Sequence, residues 1–561
     1  MSGTTHLDAA GTRLDEATVR EYLATGAWRD RPLSSYLRVA IAAVPHRTAA
    51  VTRRGQDRTA LTYRELGALV DRVRTGLRRL GVGPGDVVSV MLPNTHEFAA
   101  VIWAIFELGA VYSGVPTAYA RREVTFMLNR AKSKVWIVPS EYRGRDYVAF
   151  AKEVRDQAST LETVVVLNLG EGSGSPERYG DLGRDEGLIG FDELIAGAPE
   201  PVPAPPPAAA LSHLGFTSGT TGEPKAVMNT HQTLDAVLAS WVKHVGRDTY
   251  GEPPVNLVPS PIGHHTGFLW GVLLSAYLRG TAVYWDRWNP DAAPGVIRDE
   301  GVTMMVAAPT FLQDLVRVVG DDPSPVVSLR MMAIPGAPIP RSLVPVARER
   351  LGCFICPAWG MTEWGIGVSA APGLPSDRID ATDGVAVPGC RVRVVDPSTR
   401  VELPPGREGA LEITGPGLFL GYYDRPDATA EAIRDGWFAT GDLAVLAEDG
   451  QVTLAGRTKD IVIRGGENIP VTQVEDLLYR HPDVLDAAVV GVPDPRLGER
   501  ACAVLAVRPD SMLTLADVTR FLLGEGLSKH FLPERLELVD ALPKTMSGKI
   551  RKVELRDWLS G

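Results

Sequence analysis

The sequence predicts an α/β protein with a large amino-terminal domain and a smaller carboxyl-terminal domain. In the first half, short runs rich in β-branched residues, such as 86–92 and 163–167, alternate with longer amphipathic segments such as 96–108. Strands that alternate with helices form parallel or mixed sheets with helical crossovers, and several such sheets stack in a chain of 561 residues. After residue 458 the pattern changes to a compact α+β unit. We therefore place the domains at 1–458 and 459–561.

The individual elements follow from the same patterns. In the amino-terminal part we predict strands at 86–92, 134–138 and 163–167, and a helix at 96–108. The proline-rich stretch 198–207 is typical of a stiff surface linker. In the carboxyl-terminal part, a glycine-punctuated hairpin near Gly450 is followed by a further set of predicted elements: strand 461–463, helix 473–479, strand 487–492, strand 501–507 and helix 515–525.

Charge and hydropathy exclude some classes of function. The chain has 58 Lys plus Arg against 68 Asp plus Glu, a formal net charge of −10, whereas nucleic-acid binders normally carry a basic surplus. The first residues show neither a basic nor an apolar signal region, and the densest apolar run, 98–106, is too short to span a bilayer. We expect no nucleic-acid partner, no membrane span and a cytoplasmic location.

The four cysteines are Cys353, Cys356, Cys390 and Cys502. Cys353 and Cys356 form a single CxxC with no second pair or histidine at ligand spacing. A zinc or redox role is the alternative, but buried reduced thiols fit this spacing better.

The stretch 217-TSGTTGEPK-225 places small, hydroxyl-bearing and turn-forming residues ahead of one lysine. Glycines let backbone amides face a ligand, and hydroxyls and an ammonium add donors, so the composition is typical of a phosphate-binding loop. It is not a Walker loop, because Pro224 precedes Lys225 and no Gly-Lys-Ser/Thr ends it. The alternative is a flexible surface loop. The apolar runs on either side, 214–216 and 226–228, favour the first interpretation.

The whole motif resembles the phosphate loop of the AMP-forming acyl-CoA synthetases, a superfamily that also includes luciferases and peptide-synthetase adenylation domains. The resemblance extends from about residue 61 to the end of the chain. It implies ATP, Mg²⁺ and CoA as cofactors and a small carboxylic acid as substrate. The loop residues that it assigns to ATP are Thr217, Ser218, Gly219, Thr220, Thr221, Gly222 and Lys225.

A second motif, 359-WGMTE-363, has a carboxylate where Mg²⁺ would need an oxygen ligand. The resemblance implies that Glu363, with Thr220, holds the metal and that Thr362 contacts the α-phosphate. The alternative is a helix that begins at Thr362 as its N-cap. The resemblance also assigns further residues to the nucleotide: Gly336, Ala337, Pro338, Trp359 (where tyrosine is commoner), Gly360 and Met361.

The segment 436-GWFATGD-442 ends in an aspartate, and a carboxylate can accept both hydroxyl protons of a ribose. The resemblance implies that Asp442 binds the ribose and Arg457 makes a second nucleotide contact. A plain turn at Asp442 is the alternative. The resemblance further implies that Lys459 is the hinge of a mobile lid and that Gly465 and Gly466 line the CoA tunnel, where a close approach needs residues without side chains.

The last motif, 543-PKTMSGKIR-551, contains Lys549, which the resemblance identifies as the catalytic lysine. An ammonium there would offset the negative charge of a carboxylate that meets a triphosphate. In 261-PIGHHTG-267, His264 takes the position of the family's gating residue. No carboxylate lies between residues 261 and 285 to pair an α-ammonium, which argues against an amino-acid substrate.

These residues together imply an AMP-forming acid:CoA ligase for a medium-chain, cyclic or aromatic carboxylate. One alternative keeps the adenylation and changes the acceptor to a carrier-protein thiol, an amine or another nucleophile. A second is a binder of nucleotide or acyl groups without catalysis. The sequence leaves the acid, the acceptor, the pathway and the oligomeric state open.

Overall fold

Three large β-sheets organise the chain in the computed structural model, which describes residues 16–169, 187–217, 224–457, 462–464, 467–494, 498–545 and 548–560. The strands, numbered in chain order, are β1 (Thr48–Arg54), β2 (Asp57–Thr62), β3 (Val87–Val90), β4 (Val111–Gly114), β5 (Ser133–Pro139), β6 (Glu141–Tyr142), β7 (Arg145–Asp146), β8 (Thr163–Leu167), β9 (Leu188–Gly190), β10 (Leu211–Thr217), β11 (Lys225–Thr230), β12 (Val255–Val258), β13 (Thr281–Trp285), β14 (Met304–Val306), β15 (Met331–Ile334), β16 (Phe354–Met361), β17 (Gly365–Ser369), β18 (Gly384–Ala386), β19 (Arg391–Val395), β20 (Glu408–Thr414), β21 (Ile433–Arg434), β22 (Trp437–Leu446), β23 (Gln451–Arg457), β24 (Val462–Arg464), β25 (Glu467–Ile469), β26 (Val484–Asp494), β27 (Gly498–Val507) and β28 (Arg535–Val539).

Helices cover these sheets and connect their parallel strands. They are α1 (Glu16–Ala24), α2 (Ser34–Ala43), α3 (Tyr63–Arg79), α4 (His96–Glu107), α5 (Arg121–Ala131), α6 (Tyr147–Arg155), α7 (Phe191–Leu194), α8 (His231–Val245), α9 (Leu274–Leu278), α10 (Ala293–Glu300), α11 (Pro309–Val319), α12 (Leu343–Leu351), α13 (Ser376–Ala381), α14 (Pro426–Ala432), α15 (Val471–Leu478), α16 (Leu515–Gly524) and α17 (Lys552–Ser560). A π-helical turn, Gly267–Leu273, runs directly into α9. Within the described residues, no helix has both the length and the apolar character that crossing a bilayer requires.

Two sheets build the amino-terminal part. One has seven strands in the order β11-β10-β4-β3-β5-β8-β9, parallel from β10 to β9. The other has fourteen strands, parallel from β1 through β13, β12, β14 and β15 to β16, and antiparallel from β16 onward. The parallel strands are buried on both faces, as their continuous apolar sequences require.

The carboxyl-terminal part has its own five-stranded sheet, β25-β24-β27-β26 with β28 beside β27. Its buried side chains form two apolar clusters that contain only residues after 461, whereas the main core contains only residues before 453. The predicted fold class, a large sheet-rich unit with a smaller α+β unit, is therefore confirmed. Residues 458–461 lie outside the described residues, so the division at 458/459 stays a proposal.

Most predicted elements occur within a few residues of their expected positions. The predicted helix 96–108 is α4, which begins after Thr95, whose side chain accepts the Phe98 N–H. The strand predicted at 163–167 is β8, with the same bounds. Three elements of the carboxyl-terminal part, β25, β28 and α17, were not predicted. All four cysteines are buried and free, and no cluster of three or more His, Cys, Asp or Glu side chains forms a metal site in the described part of the chain.

Asn94 connects the seven-stranded sheet to the segment that carries the two adjacent histidines. It follows β3 and is buried. Its Nδ2 donates to the backbone oxygens of Val258 and Ser260, each at 3.0 Å. Its Oδ1 accepts the Ile262 N–H at 2.9 Å. With a longer contact of 3.4 Å from Nδ2 to the Trp285 backbone oxygen, one buried amide bonds four backbone groups and fixes the chain just before His264.

Replacement of Asn94 by alanine should lower the free energy of unfolding by about 3 kcal/mol, because four buried backbone groups lose this partner. Asn129→Ala is the matched control, since Asn129 also bonds backbone groups but at an exposed position, and its cost should stay below about 1 kcal/mol. Chemical denaturation of the three proteins measures both values. Equal losses for the two variants would contradict the anchoring role of Asn94.

Candidate active site

A cavity of about 960 Å³ lies between the large sheet and the carboxyl-terminal part. Its walls include the loop after β15, the middle of β16, the paired strands β22 and β23, the helix α15 and the segment before α17. Eight of the residues singled out from the sequence line it: Gly336, Ala337, Pro338, Trp359, Gly360, Asp442, Arg457 and Lys549. Residues that lie more than 200 positions apart in the chain thus meet at one place.

Asp442 is a carboxylate on this wall with two side-chain donors. It is buried, and it pairs with Arg457 in the β22–β23 register. The Arg457 Nε–H donates to Oδ1 at 3.0 Å, and the indole Nε1–H of Trp359 donates to Oδ2 at 2.8 Å. Donors from β16 and β23 therefore orient a carboxylate on β22. Asp442 thus lies within a paired strand, which excludes the alternative of a plain turn. Each oxygen keeps a lone pair for a further donor.

Glu363 lies in the turn between β16 and β17 and is buried. Its Oε1 accepts the Tyr422 hydroxyl at 3.0 Å, and the Lys225 ammonium lies 4.7 Å from the centre of the Tyr422 ring. Burial raises the pKa of Glu363, and the Tyr422 hydroxyl and the charges of Arg457 and Lys225 offset only part of this rise. A cation that reaches Glu363 would therefore stabilise its ionised form.

The segment around Tyr422 explains why Glu363 and Lys225 lie close together. The Phe419 N–H donates to the Glu363 backbone oxygen at 2.9 Å. Three residues on, Tyr422 forms a bridge with Val227 of β11. Because β11 begins at Lys225, one stretch of chain joins the end of the phosphate-loop motif to the turn that carries Glu363.

Lys549 is held by a hairpin at the start of the last helix. Lys544 pairs with Ile550 across an antiparallel bridge, the Thr545 N–H donates to the Lys549 backbone oxygen at 2.8 Å, and the Lys549 N–H donates to Thr545 Oγ1 at 3.1 Å. Gly548 has a φ of +81°, and a side chain there would collide with the Thr310 hydroxyl of α11. The hairpin therefore lies directly against the amino-terminal part.

Two ion pairs fix this hairpin to its own sheet and helix. The Lys544 ammonium lies 2.5 Å from Asp486 Oδ2 on β26, and the Lys552 ammonium lies 2.7 Å from Glu475 Oε1 on α15. All four side chains are mostly buried, which makes such pairs stronger than those on the surface. The position of Lys549 is thus set by the carboxyl-terminal unit as a whole.

Glycines in two of the predicted stretches have local structural reasons. Gly336, directly after β15, has a φ of +100°, a conformation that favours glycine. A side chain at Gly360 would collide with the Gly365 backbone oxygen across the β16–β17 hairpin. This hairpin also excludes the alternative in which Thr362 caps a helix, because Thr362 and Glu363 lie in the tight turn between two strands.

The histidine segment lies beside a second cavity, of about 240 Å³, whose walls include Pro261, Gly263, Lys544 and Thr545. The His264 N–H donates to the Pro261 backbone oxygen at 3.0 Å. Burial lowers the pKa of His264 to about 4, so the imidazole is neutral at physiological pH.

The remaining predicted residues fall into two groups. Thr217 pairs with Lys225 in the β10–β11 register, Met361 ends β16, and a methyl of Thr362 packs against Gly215. Eight of the predicted residues lie outside the described residues: Ser218, Gly219, Thr220, Thr221, Gly222, Lys459, Gly465 and Gly466.

Sequence reasoning missed several residues of the site. Tyr422 holds Glu363, and its only signal was the Gly-Tyr-Tyr that follows an apolar run. On the opposite wall, Asp476 of α15 lies near Arg341 and Asp383 of the amino-terminal part. Burial raises the pKa of Asp476 to about 7, since the Arg341 charge offsets only part of the desolvation. Nothing in the local sequence of α15 indicates this contact.

Comparison with known proteins identifies the family. Residues 37–423 match the family described as AMP-binding enzyme, and residues 473–549 match the AMP-binding enzyme C-terminal domain. This chain belongs to the AMP-binding enzyme family. The resemblance that the motifs indicated is therefore confirmed.

Two curated members of the family match nearly the full chain. The medium-chain fatty-acid–CoA ligase of Escherichia coli (strain K12) is 32% identical over 538 residues, which cover 95% of this chain and 92% of the relative. The 2-hydroxy-7-methoxy-5-methyl-1-naphthoate–CoA ligase of Streptomyces carzinostaticus is 33% identical over 550 residues, which cover 97% and 95%. Both are named as CoA ligases, in agreement with the predicted acid–thiol ligase class.

A solved structure of the family has the same fold. The crystal structure of ATP-bound MatB from Rhodopseudomonas palustris superposes with a TM-score of 0.82 at 27% identity and covers 94% of this chain and 99% of that chain. The agreement over both parts of the chain confirms the α/β architecture with its smaller carboxyl-terminal unit.

Replacement of Trp359 by phenylalanine should raise the KM for ATP about tenfold, because Asp442 loses one of its two orienting donors while an aromatic ring remains. Trp437→Phe is the matched control on β22, where the ring packs against the Arg393 guanidinium at 4.3 Å, and its KM for ATP should not change. Steady-state kinetics at varied ATP measure both. An unchanged KM in Trp359→Phe would show that the indole does not position Asp442.

The raised pKa of Glu363 gives a prediction for stability against pH. The pKa of Glu363 is higher in the folded state than its unfolded value near 4.5. As the pH rises from 4.5 through the folded pKa, the unfolded state loses its proton first, so the folded state becomes progressively less stable relative to it. Glu363→Gln removes this penalty and keeps an acceptor for Tyr422. The ligand-free variant should therefore melt at a higher temperature than the unmodified protein at pH 8 and at about the same temperature at pH 4. A lower melting temperature at pH 8 would contradict the burial argument.

Proposed function

We propose that this chain is an AMP-forming acid:CoA ligase that acts on a medium-chain, cyclic or aromatic carboxylic acid. The observation that carries the proposal is the meeting of Lys549 with Asp442, Arg457 and Trp359 on the walls of one cavity. A lysine from the carboxyl-terminal unit that reaches a nucleotide-sized cleft of the amino-terminal unit is what carboxylate adenylation requires.

The nucleotide would bind with its ribose hydroxyls donating to Asp442. The Arg457 and Trp359 donors hold this carboxylate in place, and the 336–338 segment, which lines the same cavity, would contact the base. The triphosphate would extend toward Lys225 and the preceding loop, whose composition supplies the amides and hydroxyls that a polyanion needs. Thr362 would lie close to the α-phosphate.

In the first half-reaction, a carboxylate oxygen of the acid attacks the α-phosphorus of ATP. The new bond gives the acyl-adenylate, and the bond to the β-phosphate oxygen breaks to release pyrophosphate. Two anions must approach each other in this step, so the Lys549 ammonium stabilises the charge that accumulates between them. The half-buried hairpin that holds Lys549 would supply this charge without a large reorganisation.

Mg²⁺ is part of the proposal, with Glu363 as its protein ligand in the described part of the chain and Thr220 as a second. A single buried carboxylate suits this ion, which keeps several waters and takes its other oxygens from phosphates. The raised pKa of Glu363 fits as well, since a cation would favour the ionised carboxylate. When bound, Mg²⁺ would neutralise phosphate charge.

In the second half-reaction, the CoA thiolate attacks the acyl carbonyl carbon, the thioester bond forms, and AMP leaves with the electrons of the mixed anhydride. We propose that residues 459–561 rotate about Lys459 between the two steps and that Gly465 and Gly466 then line the path of the pantetheine. His264, neutral at physiological pH, would separate the acyl group from that path. Activation as an adenylate makes thioester formation feasible.

CoA is the acceptor that the relatives favour, because the two described above are named CoA ligases. Transfer to a carrier-protein thiol or to an amine would use the same first half-reaction. Assays with CoA, a phosphopantetheinyl carrier protein and a simple amine distinguish the three, since only the true acceptor speeds AMP release. A cytoplasmic location stays part of the proposal.

Lys549→Ala should lower acid-dependent exchange between ATP and pyrophosphate by about 10²–10³-fold, because the stabilising charge is lost from the first transition state. Transfer from a supplied acyl-adenylate to CoA should stay within about threefold. Gly466→Trp should do the reverse, since a bulky ring would fill the proposed thiol path. The two half-reactions are measured separately for each variant, with a carboxylate panel to identify the acid.

Lys552→Ala serves as a control for the lysine variant, because it removes a nearby ammonium that is paired with Glu475. Its exchange activity should fall much less than that of Lys549→Ala. Loss of the same half-reaction in both Lys549→Ala and Gly466→Trp would contradict the two-orientation mechanism. Absence of AMP release with every acid and acceptor would favour a binder without catalysis.

A further inference from the structure

Tyr422 contacts two oppositely charged groups of the candidate site at once. Its hydroxyl donates to Glu363 Oε1 at 3.0 Å, and the Lys225 ammonium lies over its ring, 4.7 Å from the centre. In the part of the chain that the structure describes, Lys225 and Glu363 form no ion pair, although the Lys225 charge acts on Glu363. An uncharged phenol, and not the opposite charge, is thus the immediate partner of both groups.

The ring of Tyr422 is held in this position from several sides. It is 4% exposed, and its centroid lies 4.9 Å from that of Phe419. The Tyr422 N–H donates to Thr429 Oγ1 at 2.9 Å, and Tyr422 forms an antiparallel bridge with Val227, two residues after Lys225. Burial raises the pKa of the Tyr422 hydroxyl far above its usual range, so the phenol stays a neutral donor. The ring cannot move away from Lys225 without loss of these contacts.

Loss of this ring would change the balance between the two charges. Glu363 is buried, and a buried carboxylate that loses a donor is strongly stabilised by an opposite charge. Of the two cations that act on Glu363, Arg457 is already paired with Asp442, which leaves Lys225. A direct ion pair would occupy the Lys225 ammonium. A phosphate could then bind the ammonium only by leaving a buried carboxylate unpaired, which is costly.

We infer that Tyr422 is a positioning residue that keeps Lys225 from pairing with Glu363 and so leaves the ammonium available to the phosphates of the nucleotide. This inference rests on the proposed function, because it takes ATP as the ligand that Lys225 meets. The ring face stabilises the ammonium by a cation–π contact without neutralising its charge. The hydroxyl gives Glu363 a partner at the same time.

Binding of ATP in the presence of EDTA tests the inference, because no metal ion then links Glu363 to the phosphates. Calorimetric titration gives the Kd of each variant. Tyr422→Leu should raise the Kd by about tenfold or more, since the ring is lost and Lys225 pairs with the buried carboxylate. Tyr422→Phe keeps the ring, so its Kd should stay within about threefold of the unmodified protein. A tenfold rise in Tyr422→Phe would assign the effect to the hydroxyl and overturn the inference.

The decisive comparison repeats Tyr422→Leu in the Glu363→Gln background. A neutral amide cannot hold the ammonium in an ion pair, so Tyr422→Leu should raise the Kd less than about threefold there. A merely structural role of Tyr422 would give the same rise in both backgrounds, and equal rises would overturn the inference. If Tyr422→Leu does not fold, Tyr422→Met, whose flexible side chain fills irregular space, replaces it in both backgrounds.

Tyr423→Leu is the matched control. The Tyr423 ring also lies beside an ammonium, that of Lys132 at 5.6 Å, and Lys132 is paired with Asp424 at 3.7 Å. Loss of this ring should leave the Kd for ATP within about twofold, because neither charge belongs to the candidate site. A tenfold rise in both Tyr422→Leu and Tyr423→Leu would mean that the whole segment is disturbed and would overturn the inference.

Pyrophosphate release with the carboxylate panel separates this inference from the proposed function. If no acid releases pyrophosphate but Glu363→Gln suppresses the effect of Tyr422→Leu on ATP binding, the proposed function fails and the inference stands. If an acid releases pyrophosphate and Tyr422→Leu binds ATP as tightly as the unmodified protein, the inference fails and the proposed function stands. Absence of ATP binding to the unmodified protein would also overturn the inference.

Discussion

The unequal pairing of two buried carboxylates is the constraint on which the candidate site depends. Asp442 receives a guanidinium from β23 and an indole N–H from β16, so it is fixed and compensated before any ligand arrives. Glu363 receives one phenol hydroxyl, with Lys225 beyond the phenol ring, and its pKa is raised. A carboxylate whose charge is already compensated by protein donors is suited to hold a ligand group in a fixed position. A buried carboxylate with few donors is stabilised in its ionised form when a cation binds. Environment alone thus distinguishes the two carboxylates, because Asp442 is paired with donors from two other strands and Glu363 is not.

The sequence was sufficient for the broad architecture and for much of the cavity wall. Period and composition predicted α4 and β8 closely, because both contain long apolar runs relative to their length. β25 and β28 were missed, since charged residues interrupt both and they carry no comparable apolar run. The turn at Thr362 could not be separated from a helix start, because Thr-Glu suits both and only the close approach of Gly360 to Gly365 decides it. Tyr422 was missed because its role depends on a bridge to β11 that no local pattern encodes.

The contacts of the carboxyl-terminal unit are strong within the unit and weaker toward the rest of the chain. Buried ion pairs fix the Lys549 hairpin to β26 and α15. Across the cavity, Asp476 lies near both Arg341 and Asp383, and desolvation raises its pKa to about 7. As the pH rises through that value, a second anion is added beside Asp383, which opposes the attraction of Arg341. A contact of this kind can hold Lys549 in the cleft and still be released, as the proposed rotation between the two half-reactions would require.

The site also divides by charge. The proposed nucleotide side contains Arg457 and Lys549, with Lys225 near the buried Glu363. On the proposed acyl side, burial lowers the pKa of both His264 and His265 to about 4, so their imidazoles are neutral. A charged group on the acyl chain would face the desolvation cost that these histidines avoid by losing their protons. The cavity beside this segment also has Arg143, Asp286 and Lys544 in its walls, so charge as well as shape can contribute to selectivity there.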